Sequence, residues 1–123
     1  MAGMDIFDTP VPANAPSSYR TQTGGLMTTP LTLIATLVAK AGFEVELEQT
    51  LQGLQGPSRS EADCIQYDFH RDAEQARTFH MIEQWRDEAA LTAHEATPHF
   101  QTALPFIERA AEKLTITKMY RIS

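Results

Sequence analysis

Residues 64–85 read CIQYDFHRDAEQARTFHMIEQW, and this stretch decides the fold. In each half, large apolar side chains recur at every second position, namely Ile65, Tyr67 and Phe69 in the first, and Phe79, Met81 and Trp85 in the second. A period of two is typical of β-strands. The polar segment 72–77 between the halves is a loop, so the stretch predicts a hairpin with strands over 64–71 and 78–85.

The residues before this hairpin predict a strand and a helix. Residues 31–39 read LTLIATLVA, a short apolar and β-branched run typical of a buried strand. After the break at Gly42, apolar residues recur at helical spacing: Phe43, Leu47, Leu51 and Leu54. This helix is expected to fade around Gly56-Pro57.

The residues after the hairpin predict two further helices and a last strand. Asp87 is expected to cap a short helix that carries His94, and Thr97-Pro98 is a second helix start. Pro105 falls within the second apolar stripe and is expected to kink or split that helix. Residues 114–122 end the chain with the alternation of a strand.

The predicted order is β-α-β-β-α-β, which indicates an α+β, ferredoxin-like fold with a four-stranded antiparallel sheet and helices on one face. We expect the domain to span residues 30–123. Residues 1–29 are rich in Pro, Gly, Ser and Thr and are predicted to be a flexible N-terminal arm. The second sheet face would be too apolar for water, which predicts a homodimer with two sheets packed face to face.

Composition argues against several classes of partner. The net charge is -6 with no cluster of Lys or Arg, so neither a nucleic acid nor a membrane surface is an expected partner. Cys64 is the single cysteine, so the chain cannot form an internal disulfide. The acidic start and the lack of a long apolar run predict a cytoplasmic location.

The segments PLTLIATLVAKAG, PSRSEADCIQYDFHRD and FHMIEQWRDEAALTAHEATPHF, with the closing KMYRI, resemble the antibiotic biosynthesis monooxygenase family. The resemblance covers residues 31–122. It implies a dimeric α/β-barrel assembly with an apolar pocket between sheet and helices. The best-known members of the family oxidise quinols or phenols with O2 and use neither metal nor flavin, so the resemblance implies no cofactor; other members degrade heme, resemble isomerases or have no assigned reaction. At the positions that the heme-degrading branch uses, this chain has Ala35, His94 and Leu104, which argues against that activity.

His94 and Glu83 are the predicted catalytic residues. An imidazole titrates near neutral pH and can deprotonate a phenol. The alternative interpretation of His94 is a histidine packed at the domain edge and bonded to backbone or water. Glu83 shares its strand face with apolar side chains, where burial would raise its pKa and suit it to act as a base. The competing interpretation makes Glu83 an ion-pair partner of one of three arginines: Arg59, Arg71 or Arg86.

A second group of residues is predicted to bind a flat aromatic substrate: Trp85, Tyr67, Phe79, His99 and Phe100. Each of them could instead be a core, interface or turn residue. No metal site is predicted, because His94 and His99 are five positions apart and no carboxylate or thiolate pattern completes a ligand set. Glycine-rich phosphate loops and nucleophile motifs are missing from the sequence, which argues against hydride and phosphoryl transfer.

These features lead to one principal hypothesis and two rivals. The first is a cofactor-independent monooxygenase that acts on a small quinol-like aromatic molecule and O2. The second is a dimeric module that binds a small ligand or a protein without catalysis. The third is an isomerase or lyase on the same fold. An open cavity lined by His94 and another polar group would favour an enzyme over a binding module.

Overall fold

The computed structural model of the protein describes residues 29–123. The flexible arm predicted for residues 1–29 therefore lies outside the described residues, apart from Thr29. Four strands are present, β1 (Leu31–Ala39), β2 (Cys64–Arg71), β3 (Thr78–Trp85) and β4 (Ala111–Tyr120). Four helices connect them, α1 (Glu44–Gly53), α2 (Gln55–Arg59), α3 (Glu88–Glu95) and α4 (Pro98–Ala110).

The strands form one antiparallel sheet in the order β2-β3-β1-β4. The hairpin strands β2 and β3 are neighbours, and β1 lies between β3 and β4. This order and connectivity confirm the predicted ferredoxin-like α+β fold. None of the helices within residues 29–123 is long and apolar enough to cross a membrane.

One face of the sheet carries the core. On β1 every second residue is buried, beginning with Leu31, and on β3 the buried residues are Phe79, Met81, Glu83 and Trp85. The helices cover this face and contribute buried apolar side chains of their own: Leu47, Leu51, Leu91, Phe100 and Ile107. The alternation of residues in the sequence therefore predicted correctly which β3 side chains face the core.

Strand β2 departs from the predicted alternation at Ile65. Cys64 pairs with Trp85 and Gln66 with Gln84, so the register shifts by one residue between them. A bulge of this kind leaves the extra residue unpaired, and Ile65 is 53% exposed. The expectation that Ile65 shares a face with Tyr67 and Phe69 is thus wrong.

The chain remains helical through Gly56-Pro57, where the helix was expected to fade. Helix α2 spans this pair because Pro57 is in the first turn, where no intrahelical partner for its nitrogen is needed.

Two side chains of α2 form hydrogen bonds with backbone groups on the outer edge of β2. Arg59 Nε donates to the Tyr67 carbonyl at 2.9 Å, and the Phe69 N–H donates to Gln55 Oε1 at 3.0 Å.

Both predicted helix caps are confirmed. The Ala90 N–H donates to Asp87 Oδ1 at 2.8 Å at the start of α3. Thr97 caps α4, with Pro98 in the first turn. Pro105 does not split α4, because the carbonyl left without a helical partner is that of the exposed Gln101, which solvent can reach.

Candidate functional site

A cavity lies between the core face of the sheet and the helices. The centre of a water-sized sphere can occupy about 40 Å³ of the cavity, within about 470 Å³ of space that no atom fills and that includes the open mouth. Most lining residues are apolar, including Ala35, Leu51, Leu91, Leu104 and Ile116. Three of the lining residues have polar side chains: Tyr67, Glu83 and His94. The arrangement suits a mostly apolar ligand that is oriented by a few polar groups.

His94 lies in the last turn of α3 and is 1% exposed. Aromatic rings surround its imidazole, with centroid distances of 4.5 Å to Trp85, 5.1 Å to Phe100 and 5.5 Å to Tyr67. Its Nδ1 lies 2.7 Å from Glu61 Oε2, whereas its Nε2 is buried and has no hydrogen-bond partner among the described residues. Burial lowers the pKa of His94, so the ring is neutral at neutral pH and Nε2 can accept a proton.

Glu61 is a site residue that sequence analysis missed. It lies in the short loop between α2 and β2, and its Oε2 contacts His94 Nδ1 at 2.7 Å and His99 Nε2 at 2.8 Å. A loop carboxylate without any periodic pattern gives no local signal. The contact arises because the turn between α3 and α4 brings His94 and His99 to the same place.

Glu83 lies on β3 opposite Tyr67 of β2 and is 6% exposed. Trp85 Nε1 donates a hydrogen bond to Glu83 Oε1 at 2.9 Å. Burial, with a smaller contribution from the charge of Glu61, raises the pKa of Glu83 to about 7 against the opposing effect of the Trp85 bond. The carboxyl group can therefore exchange a proton near neutral pH.

The arginines proposed as alternative partners of Glu83 form ion pairs with other carboxylates. Arg59 pairs with Asp68 at 2.8 Å. Arg71 pairs with Glu48, and Arg86 lies 3.3 Å from Asp63. The hydrogen bond from Trp85 is what holds Glu83 in its apolar surroundings.

The predicted substrate-binding residues occupy different places. Tyr67 and Phe100 line the cavity, whereas Trp85 packs behind it against His94 and Glu83. Phe79 stacks on Phe69 at 5.5 Å and is not among the lining residues. His99 lines a separate groove between α1 and α4 and reaches the site through Glu61.

One group of side chains among the described residues could hold a metal ion. Glu61, His94 and His99 each offer one ligand atom, and these atoms lie within 4.8 Å of one another. Imidazole and carboxylate are common ligands of zinc and iron. The contacts of 2.7 and 2.8 Å to Glu61 are also ordinary lengths for charge-assisted hydrogen bonds, which account for the arrangement without an ion.

Cys64 is close to the site but poorly suited to nucleophilic chemistry. Partial burial, followed by the charges of Glu61 and Glu83, raises the pKa of the Cys64 thiol to about 11. A thiol with such a pKa is protonated at neutral pH, and only the thiolate is a good nucleophile. The candidate proton-transfer groups of the site are therefore the imidazole of His94 and the carboxyl of Glu83.

The family model for antibiotic biosynthesis monooxygenases matches residues 30–105 of this chain. The chain belongs to the antibiotic biosynthesis monooxygenase family. The match includes the cavity residues on β1, β2, β3 and α3, and it confirms the resemblance found in the sequence.

Relatives within and around this family agree with the assignment. YcnE of Bacillus subtilis, whose name marks it as a candidate monooxygenase, is 34% identical over 69% of this chain and 86% of its own length. An uncharacterised Synechocystis protein is 32% identical over 76% of this chain. The matched part of the chain spans 64% of the length of that Synechocystis relative.

Solved structures in the family share the fold. PA3566 from Pseudomonas aeruginosa is 46% identical, has a TM-score of 0.77, and is matched over 80% of this chain and all of its own (100%). A protein named as an antibiotic biosynthesis monooxygenase is 30% identical, with a TM-score of 0.72 over 76% of this chain and 99% of its own.

Proposed function

We propose that this protein is a cofactor-independent monooxygenase that oxidises a small quinol or hydroxylated aromatic molecule with O2. The observation that carries the proposal is His94, which lines an apolar cavity and whose buried Nε2 has no hydrogen-bond partner within residues 29–123. The names of the relatives place monooxygenase chemistry at the level of the family. The proposal assigns it to this chain and names its substrate class.

The cavity favours catalysis over passive binding. His94 is turned away from solvent, and the same cavity is lined by a second proton-transfer group, Glu83. Apolar walls exclude bulk water, which strengthens the electrostatic interactions of a bound anion with these groups. A module that only bound an aromatic ligand would have no need of two buried groups with shifted pKa values.

The proposed reaction begins with removal of the phenolic proton by His94 Nε2. The resulting anion is electron-rich and passes one electron to O2, and the two radicals combine at a ring carbon to give a peroxide anion. Protonated His94 returns its proton to this anion, which becomes a hydroperoxide. Loss of the proton on that carbon with cleavage of the O–O bond leaves a ketone and water. The substrate supplies all four electrons, one oxygen atom enters the product, and no external reductant is needed.

The side chains of the cavity have distinct roles in this scheme. His94 is the base, and Glu83 donates a hydrogen bond to the reduced oxygen in its protonated form. Tyr67 and Phe100 contact the flat ring of the substrate. Trp85 holds both proton-transfer groups, through its ring against His94 and its N–H toward Glu83.

An isomerase is the second candidate function, and one specific observation favours it. His94 and Glu83, two groups that can carry a proton, line the same cavity, and the pKa of Glu83 is raised to about 7. An isomerase needs only to remove a proton and return it elsewhere. Such an enzyme would form a product without consuming O2.

Oxygen uptake tests the proposal directly. Metal-free protein is supplied with a panel of quinols and polyphenols, and uptake is compared between wild type and His94→Gln. We expect wild type to consume O2 with at least one quinol, and His94→Gln to lower kcat on the order of 100-fold, since a general base contributes about that much or more.

The matched control is His70→Gln, because His70 is an exposed histidine on β2. It should retain wild-type uptake. If no substrate in the panel is oxidised, the monooxygenase proposal is wrong. If both variants are as active as wild type, His94 is not the base. Product formation without oxygen uptake would support the isomerase.

A further inference from the structure

We infer that Glu61 is the positioning residue of the site: it fixes the ring tautomer of His94, and His99 in turn holds Glu61. The inference rests on the proposed function, because it explains how the proposed base is kept in its active form. Its geometric basis is a single carboxylate oxygen that contacts a nitrogen of each imidazole, at 2.7 Å for His94 and 2.8 Å for His99.

The backbone of Glu61 is held on both sides. Its N–H donates to the Ser58 carbonyl at 3.1 Å, and its carbonyl accepts from the Cys64 N–H at 3.1 Å. The residue is therefore tied to the end of α2 and to the start of β2. Its side chain is 17% exposed and reaches inward from the loop to the two histidines.

The contact with Glu61 decides which nitrogen of His94 carries the proton. An ionised carboxylate accepts hydrogen bonds only, so Nδ1 must be the N–H that faces Oε2. A neutral imidazole has one N–H, which leaves Nε2 with a free lone pair. This is the nitrogen without a partner in the buried site. Without the carboxylate, His94 would also populate the Nε2–H tautomer, which cannot act as a base at that atom.

Glu61 also stabilises the product of proton transfer. When Nε2 takes up a proton, the ring becomes an imidazolium that is 1% exposed and therefore costly to bury alone. The carboxylate at 2.7 Å supplies the opposite charge. Glu61 does not touch the substrate cavity as a lining residue, so it acts through His94.

His99 completes the arrangement from the other side. It lies in the first turn of α4, and its Nε2 lies 2.8 Å from Glu61 Oε2 and 3.2 Å from Thr97 Oγ1. Thr97 Oγ1 donates to the His94 carbonyl at 2.6 Å. The turn between α3 and α4 thus joins both histidines to each other through Thr97 as well as through Glu61.

Nitrogen NMR on the folded protein tests the inference. In wild type, the long-range ¹⁵N–¹H spectrum should show His94 with its proton on Nδ1. Glu61→Leu removes the acceptor at similar volume, so a signal from the Nε2–H tautomer should appear. In the oxygen-uptake assay, kcat of Glu61→Leu should fall on the order of 100-fold, with little change in KM.

Conservative variants separate positioning from packing. Glu61→Gln can still accept from Nδ1 through its amide oxygen, so it should restore the Nδ1–H tautomer and recover part of kcat. His99→Ala leaves the acceptor in place, so it should keep the tautomer and lower kcat about 10-fold. Asp63→Asn is the matched control, since Asp63 lies in the same loop but pairs with Arg86. It should leave both readouts unchanged.

The outcomes distinguish this inference from the proposed function. A wild-type His94 in the Nε2–H tautomer, or a Glu61→Leu variant with an unchanged spectrum, would overturn the positioning role. So would a stoichiometric metal ion in the isolated protein that is lost in Glu61→Gln, because the three groups would then be ligands. If the spectra change as expected while wild type oxidises no quinol, Glu61 still positions His94 and only the monooxygenase proposal fails.

Discussion

At Glu83, burial and a hydrogen bond act on the same carboxyl group in opposite directions. Burial is the larger effect and raises the pKa to about 7, whereas the bond from Trp85 favours the ionised form. An unfolded chain would ionise this group near its ordinary pKa of 4.5. The folded protein therefore binds one more proton than the unfolded chain between about pH 4.5 and 7, and the group's contribution to stability falls as the pH rises through that range.

We predict that Glu83→Gln makes the protein more stable at alkaline pH, relative to wild type, than at acid pH. Glutamine keeps the acceptor for Trp85 Nε1 but has no charge to bury. The gain between pH 5 and pH 8 should approach about 3 kcal/mol. Urea unfolding at both pH values measures it.

The control for this substitution is Glu46→Gln, because Glu46 is an exposed carboxylate on α1. Its difference from wild type should be the same at both pH values. A Glu83→Gln variant with that same pH-independent difference would show that Glu83 is already ionised in the folded protein at pH 5.

The sequence indicated some site residues and missed others for a physical reason. Glu83 and Tyr67 could be placed on the cavity face because a strand has a period of two. His94 could be placed on a helix because the N-cap residue of that helix, Asp87, is recognisable in the sequence. Glu61 and its contact with His99 could not be predicted, because a loop has no period and the meeting point depends on how α3 and α4 are joined.

At the scale of elements, α3 is a short helix that carries the proposed base at its far end. It spans Glu88–Glu95 and begins with the Asp87 cap. Short helices have little stability of their own, so a cap and the packing of a few side chains decide whether they form. The position of His94 therefore depends on a cap that lies outside the cavity.

We predict that Asp87→Ala destabilises the protein by about 1 kcal/mol, because the Ala90 N–H loses its acceptor and a negative charge leaves the helix start. Thermal or urea unfolding measures the change. Arg86→Ala is the control, since it removes the 3.4 Å ion pair with Asp87 but keeps the cap. Equal effects of the two substitutions would mean that the ion pair, rather than the cap, matters.

The predicted helices and strands were correct where local chemistry dominates and wrong where tertiary packing does. Each of the two helix caps depends on a single side chain and could be predicted from the sequence alone. Gly56-Pro57 and Pro105 were predicted to break helices, yet both lie within helices. Pro57 is in the first turn of α2, and Pro105 is on the solvent-facing side of α4, and both places tolerate proline. The bulge at Ile65 depends on pairing with β3, which the alternation of β2 alone does not contain.

At the scale of the whole molecule, the helices cover one face of the sheet and leave the other uncovered within residues 29–123. Ile34 of β1 pairs with Ile82 of β3 on this second face, and both are only partly buried. Val38 and the 37% exposed Met119 lie on the same face. Polar side chains such as Thr36 and His80 lie between these apolar ones on the same face. The apolar side chains support the proposal that two copies pack sheet against sheet.

We predict that Ile34→Lys converts a homodimer into a monomer, because the cross-strand neighbours of this position are Ile82 and Thr117 and a buried ammonium there would lack a carboxylate partner. Sedimentation velocity measures the mass in solution. Val45→Lys is the control, since Val45 is 65% exposed on α1, on the helical side of the sheet. Wild type that sediments as a monomer would contradict the proposal.

The covering of β2 by α2 also limits how copies of this protein can aggregate. A sheet with two open edges can add strands at both ends without limit. Here the side chains of Arg59 and Gln55 already occupy edge groups of β2, and the bulge bends the strand nearby. Within residues 29–123, the β4 edge is left for strand addition, and molecules that added only through β4 would form pairs rather than fibrils.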